Sequence, residues 1–481
     1  MNISEELVTG TFWTAVGRYS NYGLYLLVTA ILARLLDPSD FGILSMVLVY
    51  TGFVNILAEA GISSTVIQKR NLSDKDLSTV FWFSGFAAIT LVLITLAIAS
   101  YIELFFKLPG LALVIKVMSL LFVFLGLSAV PEGKLRRDLQ FKRIALVDAL
   151  SGLLAGIVAV SLALLGATYW ALVFQILTMY TLKLLFIFIA SRWLPSLQFD
   201  LTVIKNILPF SAYVMNFNFI NYWARHADNL LIGRFLGAAQ LGFYDQAYKL
   251  MMLPVQGITF VVTPALHPVL SSIQDHKPSM LDTYLRVLEY IALVSFPLGI
   301  YLHIYAGPVI ITVFGLKWVK SILVFKVLAL LTIVQPIIST TGTIFMATNN
   351  AKLLFKLGLV NSLIMILGFA LGLKYGILGV AVGYALAFYV FVTPVTLFFL
   401  TRTLDTNFTF LFKQLLKPIL IGLIFLIALL ILKTLTISIK SPVVIVLFSL
   451  LFSLMVMLVC ITIFYRSLVS ICFEKASRVL Q

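Results

Sequence analysis

Apolar runs of about twenty residues recur along the whole chain, separated by short polar connectors. A run of about 20 residues rising 1.5 Å each crosses a hydrocarbon core roughly 30 Å thick as one helix. Hydropathy places such helices near 12–36, 41–67, 78–102, 111–131, 144–165, 168–190 and 210–236. A second series follows near 241–270, 284–306, 321–346, 354–373, 377–400, 415–433 and 442–465. Some connectors are tiny, such as "GAT" at 166–168 and "YG" at 375–376, which predicts helical hairpins.

Composition agrees with the pattern. Of 481 residues, 61% are hydrophobic and only 11% charged, with mean hydropathy +1.09. Soluble domains are about a quarter charged, and no polar stretch here is long enough to form one. The opening "MNISEELVTGTFW" carries Glu5 and Glu6 and no basic run, so the first span is expected to be retained rather than cleaved. Cys460 and Cys472 are the only cysteines, which suggests neither a disulfide framework nor a metal cluster.

The net charge of +15 changes the picture only through its distribution. With the N-terminus cytoplasmic, eight basic residues face outward: Arg34, Lys107, Arg234, Lys317, Lys320, Lys374, Lys433 and Lys440. More than twice as many face inward, concentrated in Lys134, Arg136, Arg137, Lys142 and Arg143. The positive-inside rule therefore predicts both termini in the cytoplasm of a multi-pass protein. The charge is an orientation signal, and no nucleic-acid partner is implied.

An internal repeat then organises the helices. Residues 21–42 match 221–242 at Asn21/Asn221, Tyr22/Tyr222, Arg34/Arg234, Leu36/Leu236 and Gly42/Gly242. Both copies cover the first helix, tight turn and second-helix start of a six-helix block. Six is even, so the blocks enter the membrane with the same orientation, an arrangement in which substrate sites lie between halves. The expected fold is all-α: about fourteen transmembrane helices in two parallel six-helix lobes, plus two C-terminal helices. The expected divisions are 1–198, 199–402 and 403–481.

Polar residues inside the spans are the candidate chemistry. Arg18, Asn21 and Tyr25 share one face of the first helix with Thr14 and Thr29; Asn218, Asn221, Arg225 and Asp228 share one face of the seventh. Such stripes serve either as hydrogen-bonding glue between helices or as a cavity lining. Charges are harder to place, because a centred one costs roughly 2.5–3.5 kcal/mol on insertion scales. Arg225 and Asp228 are spaced to pair on one helix, as are Asp245 and Lys249. Glu59 and Asp148 lack such a neighbour, which makes them, with Asp228, the candidates for binding H+ or Na+ as a coupling ion. Arg34 and Arg234 sit one turn before a helix end, where an arginine is expected to hold terminal carbonyls. Pro254, Gly257, Pro264 and Pro268 are expected to interrupt the eighth helix. His226, His267, His276 and His303 are scattered, and no nucleophile, phosphate-loop or zinc motif appears. Neither an enzyme nor a cofactor is indicated.

Three stretches resemble a known family. They are "LARLLDPSDFGILSMVLVYTGFVNILAEAGISSTVIQKR" at 32–70, "PEGKLRRDLQFKRIALVD" at 131–148 and "DNLLIGRFLGAAQLGFYDQAYKL" at 228–250. All are similar to bacterial polysaccharide exporters related to O-antigen flippases, within the multidrug/oligosaccharidyl-lipid/polysaccharide superfamily. The nearest branch exports colanic and teichuronic acids. The resemblance implies a two-lobed carrier in the bacterial cytoplasmic membrane with a central cationic cavity. It implies flipping of undecaprenyl-diphosphate-linked oligosaccharides by alternating access, with membrane lipids and polysaccharide polymerase machinery as further partners. A diphosphate needs cations in a low-dielectric setting, and Arg18 and Arg225 are the arginines on the two stripes.

Three rivals remain at this level. A drug/cation antiporter of the same fold would favour an anionic or aromatic pocket, against the basic residues found. A membrane glycan polymerase or ligase would carry a large outer loop, and these are short. A non-transporting partner in a glycan-export complex is the third.

The charge asymmetry gives the first prediction. A cysteine replacing Asp138 should resist impermeant thiol reagents in intact cells; ready labelling from outside would reverse the orientation.

Overall fold

The computed structural model describes residues 3–59, 73–200, 202–204, 222–223 and 225–465, with side chains from 13 onward except those of 15, 18 and 57–59. Every expected apolar segment coincides with helix where it is described, and no strand occurs among the described residues. Eleven of the described helices are long and apolar enough to cross a membrane.

Contacts divide the chain into two compact units, Met1–Gly242 and Phe243–Gln481. In the first, α1 (Ile3–Leu35) turns into α2 (Pro38–Glu59), followed by α3 (Asp74–Phe106). α4 (Leu111–Met118) and α5 (Leu120–Arg137) form one apolar run with a local break at Ser119. α6 (Phe141–Leu164) and α7 (Tyr169–Ser191) are the hairpin expected at "GAT". α8 covers 225–236. This unit ends later than the repeat division at 198, because α8 packs inside it: Gly233 lies against Met46 and Phe106.

The start of α3 shows why these residues form a helix there. Ser73 Oγ accepts from the Asp76 amide at 3.2 Å, and the Asp76 carboxylate accepts from the Ser73 amide at 2.9 Å. This reciprocal cap satisfies two donors that a helix start otherwise leaves open.

The second unit contains most of α9 (Ala238–Ser272), then α10 (Lys277–Ile304), α11 (Ala306–Phe314) and α12 (Ser321–Ala347). α9 runs unbroken through Pro254, Pro264 and Pro268, contrary to the expected interruption. Each proline removes one N–H, and in hydrocarbon the remaining backbone groups have no better partner than the helix itself. α13 (Ala351–Gly372) and α14 (Gly376–Leu386) form the second expected hairpin. Glycines 368 and 372 face glycines 379 and 383 so closely that a Cβ on Gly372 would overlap the Gly379 carbonyl. Small residues let two membrane helices approach backbone to backbone. A π-helical turn, Ala387–Val392, leads into α15 (Thr393–Thr403).

The last two helices, α16 (Phe408–Leu435) and α17 (Pro442–Phe464), dock through a buried acid. Glu289 of α10 accepts from the Gln414 amide of α16 and, at 2.6 Å, from the hydroxyl of Tyr465 just past α17. Leu293, Ile421 and Cys460 close over the same place.

Replacing Glu289 with alanine should therefore loosen both helices, at about 1–3 kcal/mol per buried group left unsatisfied. In a Cys472→Ser background, Cys460 should label faster with a maleimide and the melting temperature should fall. Glu289→Gln, which keeps an acceptor oxygen, should stay near wild type. Equal behaviour of the two variants would show that the acid is not the anchor.

Candidate functional site

The stripe on α1 is graded in burial. Asn21 is half-buried and Tyr25 is exposed, whereas Thr29 is buried. Arg18 lies on the same helix, and its side chain falls outside the described residues, as do Asn218 and Asn221. On α8 the two charges occupy different settings: Arg225 is exposed, whereas Asp228 is only 2% exposed. The Asp228 carboxylate turns back to accept from the Asn229 amide at 2.8 Å. The expected Arg225–Asp228 partnership thus gives way to an exposed cation and a buried acid.

Just before α8, Tyr222 is a contact that sequence reasoning used only as a sign of repetition. Its hydroxyl donates to the carbonyls of Leu48 and Val49 at 3.1 and 2.8 Å, in a notch left by Gly52. Phe53 and Trp223 pack beside it with ring centroids 5.0 Å apart. The repeated glycines are contacts as well. A Cβ on Gly42 would overlap the carbonyl of Ala238, and one on Gly242 would overlap that of Pro38. Arg234 differs from its expected role: its guanidinium lies over the Phe105 ring, 5.4 Å from the centroid, and Nη1 is buried without a hydrogen-bond partner. An aromatic face at the end of α3 replaces the carbonyls, since it attracts a weakly hydrated guanidinium.

The largest departure concerns Asp148, expected to lack a neighbouring cation. Lys183 of α7 places its ammonium 3.0 Å from Asp148 of α6 and 3.2 Å from Glu132 of α5. Arg136, one turn after Glu132, donates to the same acid through Nη2 at 2.6 Å and Nε at 3.2 Å. Two acids and two bases thus balance, with side chains of Glu132, Asp148 and Lys183 only 15%, 24% and 16% exposed. One ammonium bridges carboxylates from two helices. Sequence reasoning missed Glu132 and Lys183. The basic i+4 neighbour of Glu132 was visible, but the lysine lies on a helix that no local spacing connects to the acids.

In the second unit, Lys249 and Asp245 pair at 2.6 Å, as their spacing implied. Two further polar pairs had no sequence signal. Gln335 donates to the Tyr384 hydroxyl at 3.4 Å, and Asn361 to the Thr396 hydroxyl at 3.2 Å. Glu59 ends α2, and its side chain lies outside the described residues.

Comparison with known proteins narrows what these features belong to. The chain is 26% identical over 393 residues to the lipopolysaccharide biosynthesis protein WzxC of Escherichia coli K12, covering 80% of this chain and 79% of that one. It is 24% identical over 356 residues to the teichuronic acid biosynthesis protein TuaB of Bacillus subtilis 168, covering 74% of each. Its fold resembles the lipid II flippase MurJ in an inward closed conformation, with TM-score 0.77 and 18% identity over 95% of this chain and 99% of that one. Residues 31–323, well over half of the sequence, match the family described as polysaccharide biosynthesis protein, and the chain belongs to that family.

Proposed function

We propose that this protein flips undecaprenyl-diphosphate-linked oligosaccharides across the bacterial cytoplasmic membrane for surface polysaccharide synthesis. The family match over residues 31–323 is the observation that carries the reading. The resemblance of its fold to that of a lipid II flippase supports it. The protein moves its substrate by alternating access and makes or breaks no bond in it. Both termini are cytoplasmic in this reading, and the lipid tail stays in the bilayer.

Arg225 is the cation best placed for a diphosphate, because it is exposed while carried on an apolar helix. Arginine stays charged at any physiological pH and forks onto phosphate oxygens. Arg18 supplies the second cation, from α1. Asn21, Tyr25, Asn218 and Asn221 are the further residues assigned to the diphosphate and sugar. Glu59, Asp148 and Asp228 are the coupling candidates for H+ or Na+. For Asp148 the geometry gives a mechanism: protonation would release its hold on Lys183, leaving the ammonium to Glu132.

Vesicles reconstituted with defined lipid-linked sugars test the reading. Arg225→Ala should abolish transport at normal membrane abundance, whereas Arg225→Lys should retain a part of it. The double change Arg225→Ala with Asp228→Ala should stay inactive; a well-expressed, active double mutant would remove Arg225 from the substrate path.

Coupling is tested through charge balance. Lys183→Gln leaves the partly buried Asp148 without its cation, whereas Glu132 keeps Arg136, and breaking a fully buried pair costs about 3–5 kcal/mol, an upper bound here. Its membrane abundance should fall sharply, and adding Asp148→Asn should restore it. Asp148→Asn alone should fold and lose the pH dependence of transport. An unchanged pH profile would exclude Asp148 as the coupling site.

A further inference from the structure

The connector after α7 is written "RWLPSLQFD", residues 192–200, and it joins the two sequence repeats. It does not extend away from the helices. Trp193 is buried edge-on to Phe81 of α3, with ring centroids 5.9 Å apart, in a cluster with Leu77, Val80 and Val130. Ser196 is fixed from both sides: its amide donates to Ser78 Oγ at 2.9 Å, and its carbonyl accepts from Trp82 Nε1 at 2.8 Å. The Asp200 amide donates to Thr79 Oγ1 at 3.0 Å, and the Asp200 carboxylate pairs with Lys75 at 3.1 Å. Hydrogen bonds from Thr202, reinforced by Lys75, hold the Asp200 carboxyl down to about 2, so this carboxylate stays charged at any physiological pH.

These contacts set a depth. Trp82 lies eight residues into α3, roughly 12 Å along its axis from Asp74. The connector therefore folds back along the first two turns of a helix apolar enough to span the membrane. Its outward side chains at that level are large and apolar: Leu194 is 79% exposed, Leu197 91% and Phe199 50%. They continue a surface already lipid-facing by its pattern, the stripe of exposed Trp82, Phe86, Ile89 and Leu93 on α3. A tryptophan at the start of such a stripe is the usual mark of the membrane–water boundary. Arg192, at the start of the connector, is exposed and suited to a lipid phosphate.

We infer that residues 193–199 form an interfacial lipid anchor, with Leu194, Leu197 and Phe199 inserted among the acyl chains of the leaflet beside the turn at 138–140 between α5 and α6. Polar contacts face the protein and apolar side chains face lipid, the division expected of a segment lying in the interface. The anchor requires only that α3 span the membrane and is independent of what is carried. Its consequence is that the joint between the repeats belongs to the bilayer surface rather than to the aqueous phase.

The test uses full-length protein in phospholipid vesicles, with Cys460→Ser and Cys472→Ser and one new cysteine carrying a bimane fluorophore. At Leu197→Cys and at Phe199→Cys, lipids bearing a nitroxide high on the acyl chain should quench strongly and aqueous iodide weakly. At Asp138→Cys, in that turn, the order should reverse. Iodide quenching at 197 and 199 equal to that at 138 would overturn the anchor, placing the connector in water. Weak quenching by both agents would also overturn it, because the face would then be covered by protein. Neither outcome bears on transport, which is read separately with lipid-linked sugars.

Discussion

Hydrocarbon offers no hydrogen bonds, and the rest of this structure follows from that. The backbone answers with helices. Small hydroxyls answer in the same way, by folding back on their own helix: Ser45 onto Phe41, Ser84 onto Val80 and Thr95 onto Leu91, each donating to a carbonyl one turn earlier. Ionised groups need more than a local acceptor. Lys183 bridges Glu132 and Asp148, Lys249 meets Asp245, and the Glu289 carboxylate is held by an amide and a phenol. An acid satisfied by a cation resists losing it, because the partner left behind would be a buried lone charge.

The same solvent removes the ordinary reason for helices to associate, since lipid tails are as apolar as leucine. Close packing has to supply the attraction, and glycine permits it. The α13–α14 hairpin brings glycines 368, 372, 379 and 383 together. Gly42 and Gly242 let the start of α2 and the residues around Ala238 meet backbone to backbone within the first unit. Tyr222 adds direction to this contact, because its hydroxyl reaches the carbonyls of α2 only where Gly52 leaves room.

Function draws on what this economy leaves over. A cation already committed to an acid has little left to offer an anionic ligand, and Arg225 and Lys183 differ in that respect: Arg225 is exposed, whereas Lys183 bridges two carboxylates. Trp82 and Ser196 show a third use of polar groups, fixing a connector so that its apolar side chains face outward.

By itself the sequence determined the helices. Hydropathy over twenty residues is a local sum, so the apolar runs and the hairpins at 166–168 and 375–376 were legible before any contact was known. The pairing of Asp245 with Lys249 was legible too, because one helical turn sets that distance whatever surrounds it. Only the tertiary structure decided the rest. Asp148 meets Lys183 across two helices, Arg234 turns to Phe105 rather than to carbonyls, and Arg225 and Asp228 part into different surroundings. Spacing along one helix fixes the face on which a side chain stands, but its partner comes from whichever helix packs against that face.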